Sequence, residues 1–415
     1  MTVVDLKAAP TVLIAEADPW TRDLLKQVVL TVRCDAQLDV CGDGQQALAQ
    51  LGKHTYGLVI ADRDLPGIGG LDLLRSVRQR RAVAAQPFIL LSARNDSASV
   101  REAEALPLAP TAYLTMPLDI AGLTKRLTGL LLEAGQEILC DVPALAPGMT
   151  LKRYLEQHRA SSDGAPLRVD AQSALRNSLG PDGLDLAQLE QQVRTDPHIT
   201  AVLVAAANSA AQHLASPAQT LAQAMQRLGP AQSLNLIQGL TLKPGAQLSD
   251  ACLADYAERY WALSQRAADY GRTLAGMLNL DQERCFCAGL LHCLGDLALV
   301  RCLQEWRQAG GELDTQAIDA SLAEFGAAYG SALRTRWRLP LELRELIAAM
   351  YHLGGGVYSR EALVMNLAAQ VANLESEEGI AEVAGGKTAR LLRVGMSQLS
   401  QLIKSPSPSP GGRGD

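Results

Sequence analysis

Five short aliphatic runs, each followed by a stretch of helical periodicity, lie between residues 11 and 134 and constrain the fold of this region more than any other feature. Aliphatic runs separated by amphipathic helices are typical of a parallel sheet covered by helices on both faces. The sequence therefore predicts an α/β domain at 1–134 with a doubly wound sheet of five parallel strands, at residues 11–16, 38–41, 58–62, 88–92 and 112–115.

The rest of the chain has the periodicity of helices. Leu221, Ala224, Met225 and Leu228, for example, fall on one face of a helix, and prolines such as Pro197 stand where helices would begin. No sustained strand alternation interrupts this pattern. The sequence predicts a linker with one short helix at 135–168 and an all-helical domain at 169–385. An amphipathic helix at 386–404 and a disordered Ser/Pro/Gly tail at 405–415 follow.

Composition narrows the class of protein. The formal net charge is −6 over 415 residues, so a general attraction to nucleic acid or to an anionic membrane surface is not expected. We find no leader-like segment and expect no apolar stretch of the ~20 residues that span a membrane. Eight cysteines at irregular spacing favour buried thiols in a reducing compartment over a disulfide framework. The sequence predicts a cytoplasmic protein.

Polar and acidic residues follow the predicted strands. Glu16, Asp62, Ser92 and Met116 stand at or just after four strand ends, and the carboxyl ends of parallel strands meet at one edge of a sheet. Two carboxylates and a hydroxyl there suit a small hard cation beside a carboxylate that can accept a phosphoryl group. The residues alone leave open the alternative that these are ordinary loop positions.

The segments 12–18, 56–70, 91–93 and 113–117 occur in the order and spacing of the response-regulator receiver family, which the region 11–134 resembles. The resemblance implies a flavodoxin-like fold and a histidine kinase or small phosphodonor as partner. By position it makes Asp62 the phosphoacceptor and Ser92 and Tyr113 the switch residues. It also implies a weak Mg²⁺ site formed by Glu16, Asp62 and the backbone carbonyl of Asp64.

Two positions depart from that family. Ala17 follows Glu16 where the family has a second acidic residue, and Met116 replaces the lysine before Pro117. A thioether cannot pair with carboxylates or with a phosphoryl group. Two interpretations therefore stay open: a working phosphorylation switch, or a degenerate receiver that serves as a constitutive scaffold for docking or homodimerisation.

The helical region resembles an HDOD domain, the helical HD-related output domain of bacterial signalling proteins. The resemblance rests on 184–198, 207–210, 224–229, Trp261 with Ser264, and 289–296, and spans roughly 165–375. It implies a domain without catalysis or cofactor that acts by contact with other signalling proteins. The chain as a whole is then expected to be a two-component-type regulator, with receiver input controlling HDOD output, and not an enzyme.

A metal-dependent HD-type phosphohydrolase is the rival from the enzyme class, because such enzymes cluster His and Asp ligands around divalent metals. His292 stands where a ligand is expected, but Cys293 follows it in place of aspartate and Leu263 occupies another ligand position. Cys285 and Cys287 raise the question of zinc, yet helical geometry separates them by about 200° and favours core cysteines. No basic cluster nominates a second-messenger site.

Overall fold

The computed structural model describes residues 9–79, 86–92, 109–116, 118–132, 144–180, 183–209, 216–354, 356–374 and 379–404. The chain forms two compact units: Met1–Asp141 with Ala231–Lys243, and Val142–Pro230 with Pro244–Asp415. The predicted helix after the fourth strand and the predicted disordered tail at 405–415 lie outside the described residues.

A five-stranded parallel sheet forms the centre of the first unit and confirms the predicted α/β fold. Its strands are β1 Thr11–Ala15, β2 Gln37–Cys41, β3 Leu58–Asp62, β4 Phe88–Ser92 and β5 Ala112–Thr115, in the order β2-β1-β3-β4-β5. The strand β1 ends one residue before the predicted Glu16, and β2 begins one residue before the predicted start. The described helices of this region are α1 Pro19–Val32, α2 Gly44–Lys53, α3 Gly70–Gln79 and α4 Ile120–Leu131.

Two apolar cores, one on each face of the sheet, explain why its central strands are continuously hydrophobic. Along β1, Leu13 and Ala15 join the core beneath α2 and α3, whereas Val12 and Ile14 join the core beneath α1 and α4. Because successive side chains of a strand point to opposite faces, a strand buried on both sides needs an apolar residue at every position.

Side-chain caps fix where the helices of this unit begin. The Asp18 carboxylate accepts a hydrogen bond from the backbone N–H of Thr21 and Pro19 occupies the first turn, as the sequence predicts. Asp43 and Asp119 cap α2 and α4 in the same way. The start of α1 therefore holds the loop after β1 next to the sheet edge.

Helices make up most of the second unit, as predicted. In chain order they are α5 Leu151–Arg159, α6 Ala171–Ser178, α7 Leu186–Val193, α8 Pro197–Ala207, α9 Leu221–Thr241 (whose last residues belong to the first unit), α10 Ala251–Met277, α11 Gln282–Leu291, α12 Leu294–Gln308, α13 Thr315–Arg336, α14 Leu341–Tyr351, α15 Arg360–Ala372, α16 Ile380–Gly385, α17 Lys387–Leu392 and α18 Met396–Lys404. One short antiparallel pair, β6 Leu179–Gly180 with β7 Gly183–Leu184, corrects the expectation of helix alone.

Local signals read from the sequence account for α8. Asp196 caps it by accepting hydrogen bonds from the N–H of Ile199 and from those of Arg168 and Val169. At the other end the side-chain amide of Asn208 donates to Val204 O and to Ala218 O, each at 2.8 Å. Both residues are structural, as expected.

The helix α9 is broken at Gly229, which has φ 75° and ψ 173° and is followed by Pro230. The left-handed region suits glycine, and proline is favoured in the first turn of the helix that restarts. We call the restarted part, 230–241, the docking helix. From Ala231 onward it packs in the first unit, although its sequence lies within the predicted helical domain.

The amphipathic segment predicted as one helix at 386–404 is instead two helices, α17 and α18. Arg393 adopts left-handed φ 59°, and the N–H of Val394 bonds to Ala389 O at 3.0 Å, which closes α17. Because arginine rarely adopts this conformation, the sequence carries no sign of the break.

Two expectations from composition need correction. The helical span Gln282–Gln308 is long and apolar enough to cross a membrane, but 94% of its most apolar window is buried inside the protein, which makes it a core element. Cys34 forms a disulfide whose partner lies outside the described residues, so the thiols are not all free. Five of the six free cysteines are buried.

Candidate functional site

Glu16 and Asp62 lie side by side at the carboxyl edge of the sheet. The pairing of Ala15 with Ala61 in β1 and β3 brings the next residue of each strand together. Glu16 is only 6% exposed. Burial, and then the charge of Asp62, raises the pKa of Glu16 to about 7. This edge, which we call the acidic edge, therefore holds carboxyl groups that ionise reluctantly.

Asp62 is less buried than Glu16. Burial raises the pKa of Asp62 from its ordinary value, and the backbone N–H of Asp64 donates to Asp62 Oδ1 at 3.3 Å. The loop after β3 packs closely over this residue, since a Cβ on Gly70 would lie 2.3 Å from Asp62 O. The side chain of Asp64 is exposed.

The loop after β1 is held by its own hydrogen bonds. Glu16 Oε1 accepts from the N–H of Asp18 at 2.9 Å, and Asp18 Oδ2 accepts from both the N–H and the hydroxyl of Thr21 at 2.8 Å. Arg22 Nη1 donates to the backbone oxygens of Glu16 and Ala17. Asp18 is thus engaged as a helix cap, and sequence reasoning missed the contribution of Arg22, for which spacing gives no signal.

The two predicted switch residues lie at neighbouring positions of the same edge. Ser92 is fully buried at the end of β4, opposite Thr115 of β5. Tyr113 packs against the core beneath α2 and α3. Its hydroxyl is buried and has no hydrogen-bond partner within the described part of the chain. The structure therefore holds the tyrosine ring inward.

Met116 packs against the opposite core, beneath α1 and α4, as Leu114 does two residues earlier. Its backbone N–H bonds to Ser92 O at 2.9 Å, so the position is at the acidic edge, but the side chain joins apolar neighbours. The residue that replaces the family's lysine therefore serves as a core side chain.

The residues of the acidic edge do not fit a preformed magnesium site. Across the described ranges, no group of three or more His, Cys, Asp or Glu side chains could hold a metal ion. Ala17 supplies no ligand, and Asp18 caps α1. Mg²⁺ prefers ionised oxygen ligands in near-octahedral geometry, which these residues do not provide together.

In the second unit, the position expected for an HD-type ligand lies in the core. His292 Nδ1 is 2.7 Å from Gly289 O, its Nε2 is 3.1 Å from the Sγ of Cys293, and its backbone oxygen accepts from the Tyr351 hydroxyl at 2.6 Å. Burial lowers the pKa of His292 to about 4 and raises the pKa of Cys293. Both ring nitrogens of the histidine therefore face groups of the protein itself.

The other predicted ligand positions also serve the fold. Asn366 of α15 donates to Ala349 O and accepts from Gln370 and Thr388. Leu263 is half-buried in α10, and Cys285 and Cys287 are buried in α11. The structure does not bring these positions together with His292 as a set of ligands in the part it describes.

A titratable group that the sequence did not single out is Asp296, one turn after Cys293. Burial raises the pKa of Asp296 to about 7, against a smaller opposite effect of Arg334. The carboxylate lies over α13, where a Cβ on Gly326 would be 2.0 Å from Asp296 Oδ1. No spacing signal could have found it, because the neighbouring helix creates the environment.

Comparisons with known proteins match two domain families in this chain, and the second match includes the docking helix. Residues 12–128 match the response regulator receiver domain and residues 166–353 match the HDOD domain. Response regulator ArlR of Staphylococcus aureus is 32% identical over 100 residues, which are 24% of this chain and 43% of that protein. The chain therefore spans less than half the length of this curated relative.

Solved structures similar to the chain include two bacterial proteins. The receiver domain of an HD domain-containing protein from Pseudomonas fluorescens Pf-5 is 25% identical and covers 30% of this chain and 94% of its own, with a TM-score of 0.27. The MmoQ response regulator from Methylococcus capsulatus is 21% identical, and the match covers 59% of this chain and 99% of that protein, with a TM-score of 0.45.

Proposed function

We propose that this chain, which joins a response regulator receiver domain to an HDOD domain, transmits a signal through contacts between proteins and catalyses no reaction. In this proposal the receiver takes its input by binding a partner at the acidic edge, and the HDOD domain delivers the output by binding another signalling protein. A change in the populations of two conformations would connect them.

The arrangement of His292 and Cys293 carries the non-catalytic part of the proposal. A hydrolytic metal site needs ligand atoms that are open to a metal and to water. Here the imidazole contacts Gly289 O and the Cys293 thiol, and its low pKa reflects a dry environment. This favours an output by contact over metal-dependent hydrolysis of a phosphodiester.

The packing of Met116 supports an input by contact. A receiver that stabilises a phosphoryl group needs a cation at the acidic edge, and this side chain lies among apolar groups. A constitutive scaffold is the second candidate, because the same packing also suits a receiver that never switches. A histidine kinase, another signalling protein or a second copy of the chain could bind, and we propose that the protein acts in the cytoplasm.

The experiment loads the full chain with Mn²⁺ or Mg²⁺, removes free metal, measures bound metal, and assays hydrolysis of bis-p-nitrophenyl phosphate. We expect no metal retained by the second unit and the same background hydrolysis in wild type and His292→Ala. Circular dichroism checks that the variant is folded. Metal-dependent turnover that disappears in His292→Ala would overturn the non-catalytic proposal.

A further inference from the structure

The docking helix packs against α1 and the loop after β5. Leu242, just after it, packs against the core beneath α1 and α4, and Gly239 lies so close to α1 that a Cβ there would be 2.9 Å from Leu24 Cδ1. At its end, Lys243 Nζ lies 2.8 Å from Asp23 Oδ2, with the lysine side chain only 6% exposed. These contacts hold the docking helix and the residues that follow it against α1 in the first unit.

Two polar contacts place this helix beside the acidic edge. The side-chain amide of Asn235, in the orientation that satisfies both its groups, bonds to the backbone N–H and oxygen of Leu118 at 3.2 Å. Leu118 is two residues after Met116. The Gln232 side chain donates to the Thr21 hydroxyl at 3.4 Å. The helix therefore touches both loops that flank the edge, the one after β1 and the one after β5.

Hydrogen bonds on either side of Asp18, one at its backbone N–H and one at its carboxylate, join the acidic edge to the docking helix. Glu16 Oε1 accepts from the N–H of Asp18, the Asp18 carboxylate accepts from the Thr21 hydroxyl, and that hydroxyl accepts from Gln232. Glu16 directly follows Ala15, which pairs with Ala61 beside Asp62. Hydrogen bonds arranged in series polarise one another, and removing one link changes the next.

We propose that the docking helix is the receiver's built-in output element, and that its docking depends on the acidic edge through Glu16, Asp18 and Thr21. A partner that binds the edge and takes over the Glu16 carboxylate would weaken the docking. The chain continues at Pro230 and at Pro244 into segments of the second unit, so release of the helix would act directly on the chain on both sides of it. The inference rests on the proposed function only in taking the acidic edge as the input.

The test measures amide hydrogen exchange of residues 231–243 in the full chain for wild type, Glu16→Ala, Thr21→Val and the double variant. Thr31→Val is the matched control, because its hydroxyl lies on the same helix and, among the described residues, bonds to Gln27 O within that helix. Exchange needs no phosphodonor and no HDOD activity, so its outcome is independent of the phosphorylation and hydrolysis assays.

We expect each single variant to speed exchange of these amides about threefold to tenfold, the size of one hydrogen bond's net free energy. The double variant should match the single variants within about twofold, because residues of one network are not additive, and Thr31→Val should stay near wild type. Glu16→Gln keeps the acceptor and should stay near wild type, and Thr21→Val tests the same series if Glu16→Ala folds poorly. Unchanged exchange in Glu16→Ala and Thr21→Val, or effects that multiply in the double variant, would overturn the inference.

Discussion

Lys243 forms an ion pair with Asp23 of α1, at 2.8 Å between Nζ and Oδ2, although the lysine side chain is only 6% exposed. A cation with so little access to water depends on its partner more than a surface lysine does. The pair joins α1 to the segment that follows the docking helix, inside the first unit.

We therefore expect Asp23→Asn to destabilise the first unit by about 1 to 3 kcal/mol, because it removes a counter-charge from a nearly buried ammonium group. Lys243→Met should cost less, since it removes the buried charge and retains the apolar stem. Urea unfolding followed by the fluorescence of Trp20, with the other three tryptophans replaced by phenylalanine, measures both. A larger loss in Lys243→Met than in Asp23→Asn would contradict this account of the pair.

Gly295 allows the backbones of α12 and α13 to pack in direct contact. A Cβ at this position would lie 2.2 Å from Gly326 O and 2.3 Å from Gly330 N. We expect Gly295→Ala to destabilise the second unit by about 2 to 3 kcal/mol, because the two helices must move apart. Gly385→Ala is the control in the same unit, since no atom of the described residues lies within 4 Å of its Cβ position. Equal midpoints of thermal unfolding for the two variants would refute the close packing.

Asp296 should make the stability of the second unit depend on pH. The folded pKa of Asp296, about 7, lies above the ordinary value of 3.8, so the folded state binds the proton more tightly. Its contribution to stability is present below pH 3.8 and is lost as the pH rises to about 7. Tryptophan fluorescence reports only the second unit when Trp20 is replaced by phenylalanine. In that background, Asp296→Asn should raise the free energy of unfolding at pH 8 by on the order of 2 kcal/mol relative to the protein with Asp296.

At pH 4 the same substitution should have little effect on the free energy of unfolding, because aspartate is then protonated in the folded state. Asp319→Asn, which removes a carboxylate of α13 that accepts from the Tyr256 hydroxyl, provides a comparison at both pH values. A pH-independent difference between Asp296→Asn and wild type would show that burial does not hold the proton on this carboxyl.

The sheet and its edge could be predicted from the sequence because strands buried on both faces leave an unbroken aliphatic run, as β3 and β4 do. The helix starts at Asp18 and Asp196 likewise follow from the local sequence, since each aspartate directly precedes a proline that occupies the first turn. Ala17 and Met116 signalled the departure from receiver chemistry by their side-chain chemistry alone.

The docking helix could not be assigned to the receiver from its sequence. Its amphipathic pattern indicates that one face is buried, but periodicity does not say against which core. The inward packing of Met116 and the raised pKa values of Glu16 and Asp296 also depend on neighbours far away in the chain. Those features follow from tertiary structure, which local spacing does not encode.

The central claim is that the acidic edge receives its input by contact and not by phosphoryl transfer. Its most direct test is incubation of the full chain with acetyl phosphate and Mg²⁺, followed by intact-mass analysis of wild type, Asp62→Asn and the control Asp72→Asn, whose carboxylate is exposed on α3. We predict no added phosphoryl group in any of the three. The mass of one phosphoryl group on wild type and Asp72→Asn, but not on Asp62→Asn, would contradict the claim and establish a phosphorylation switch.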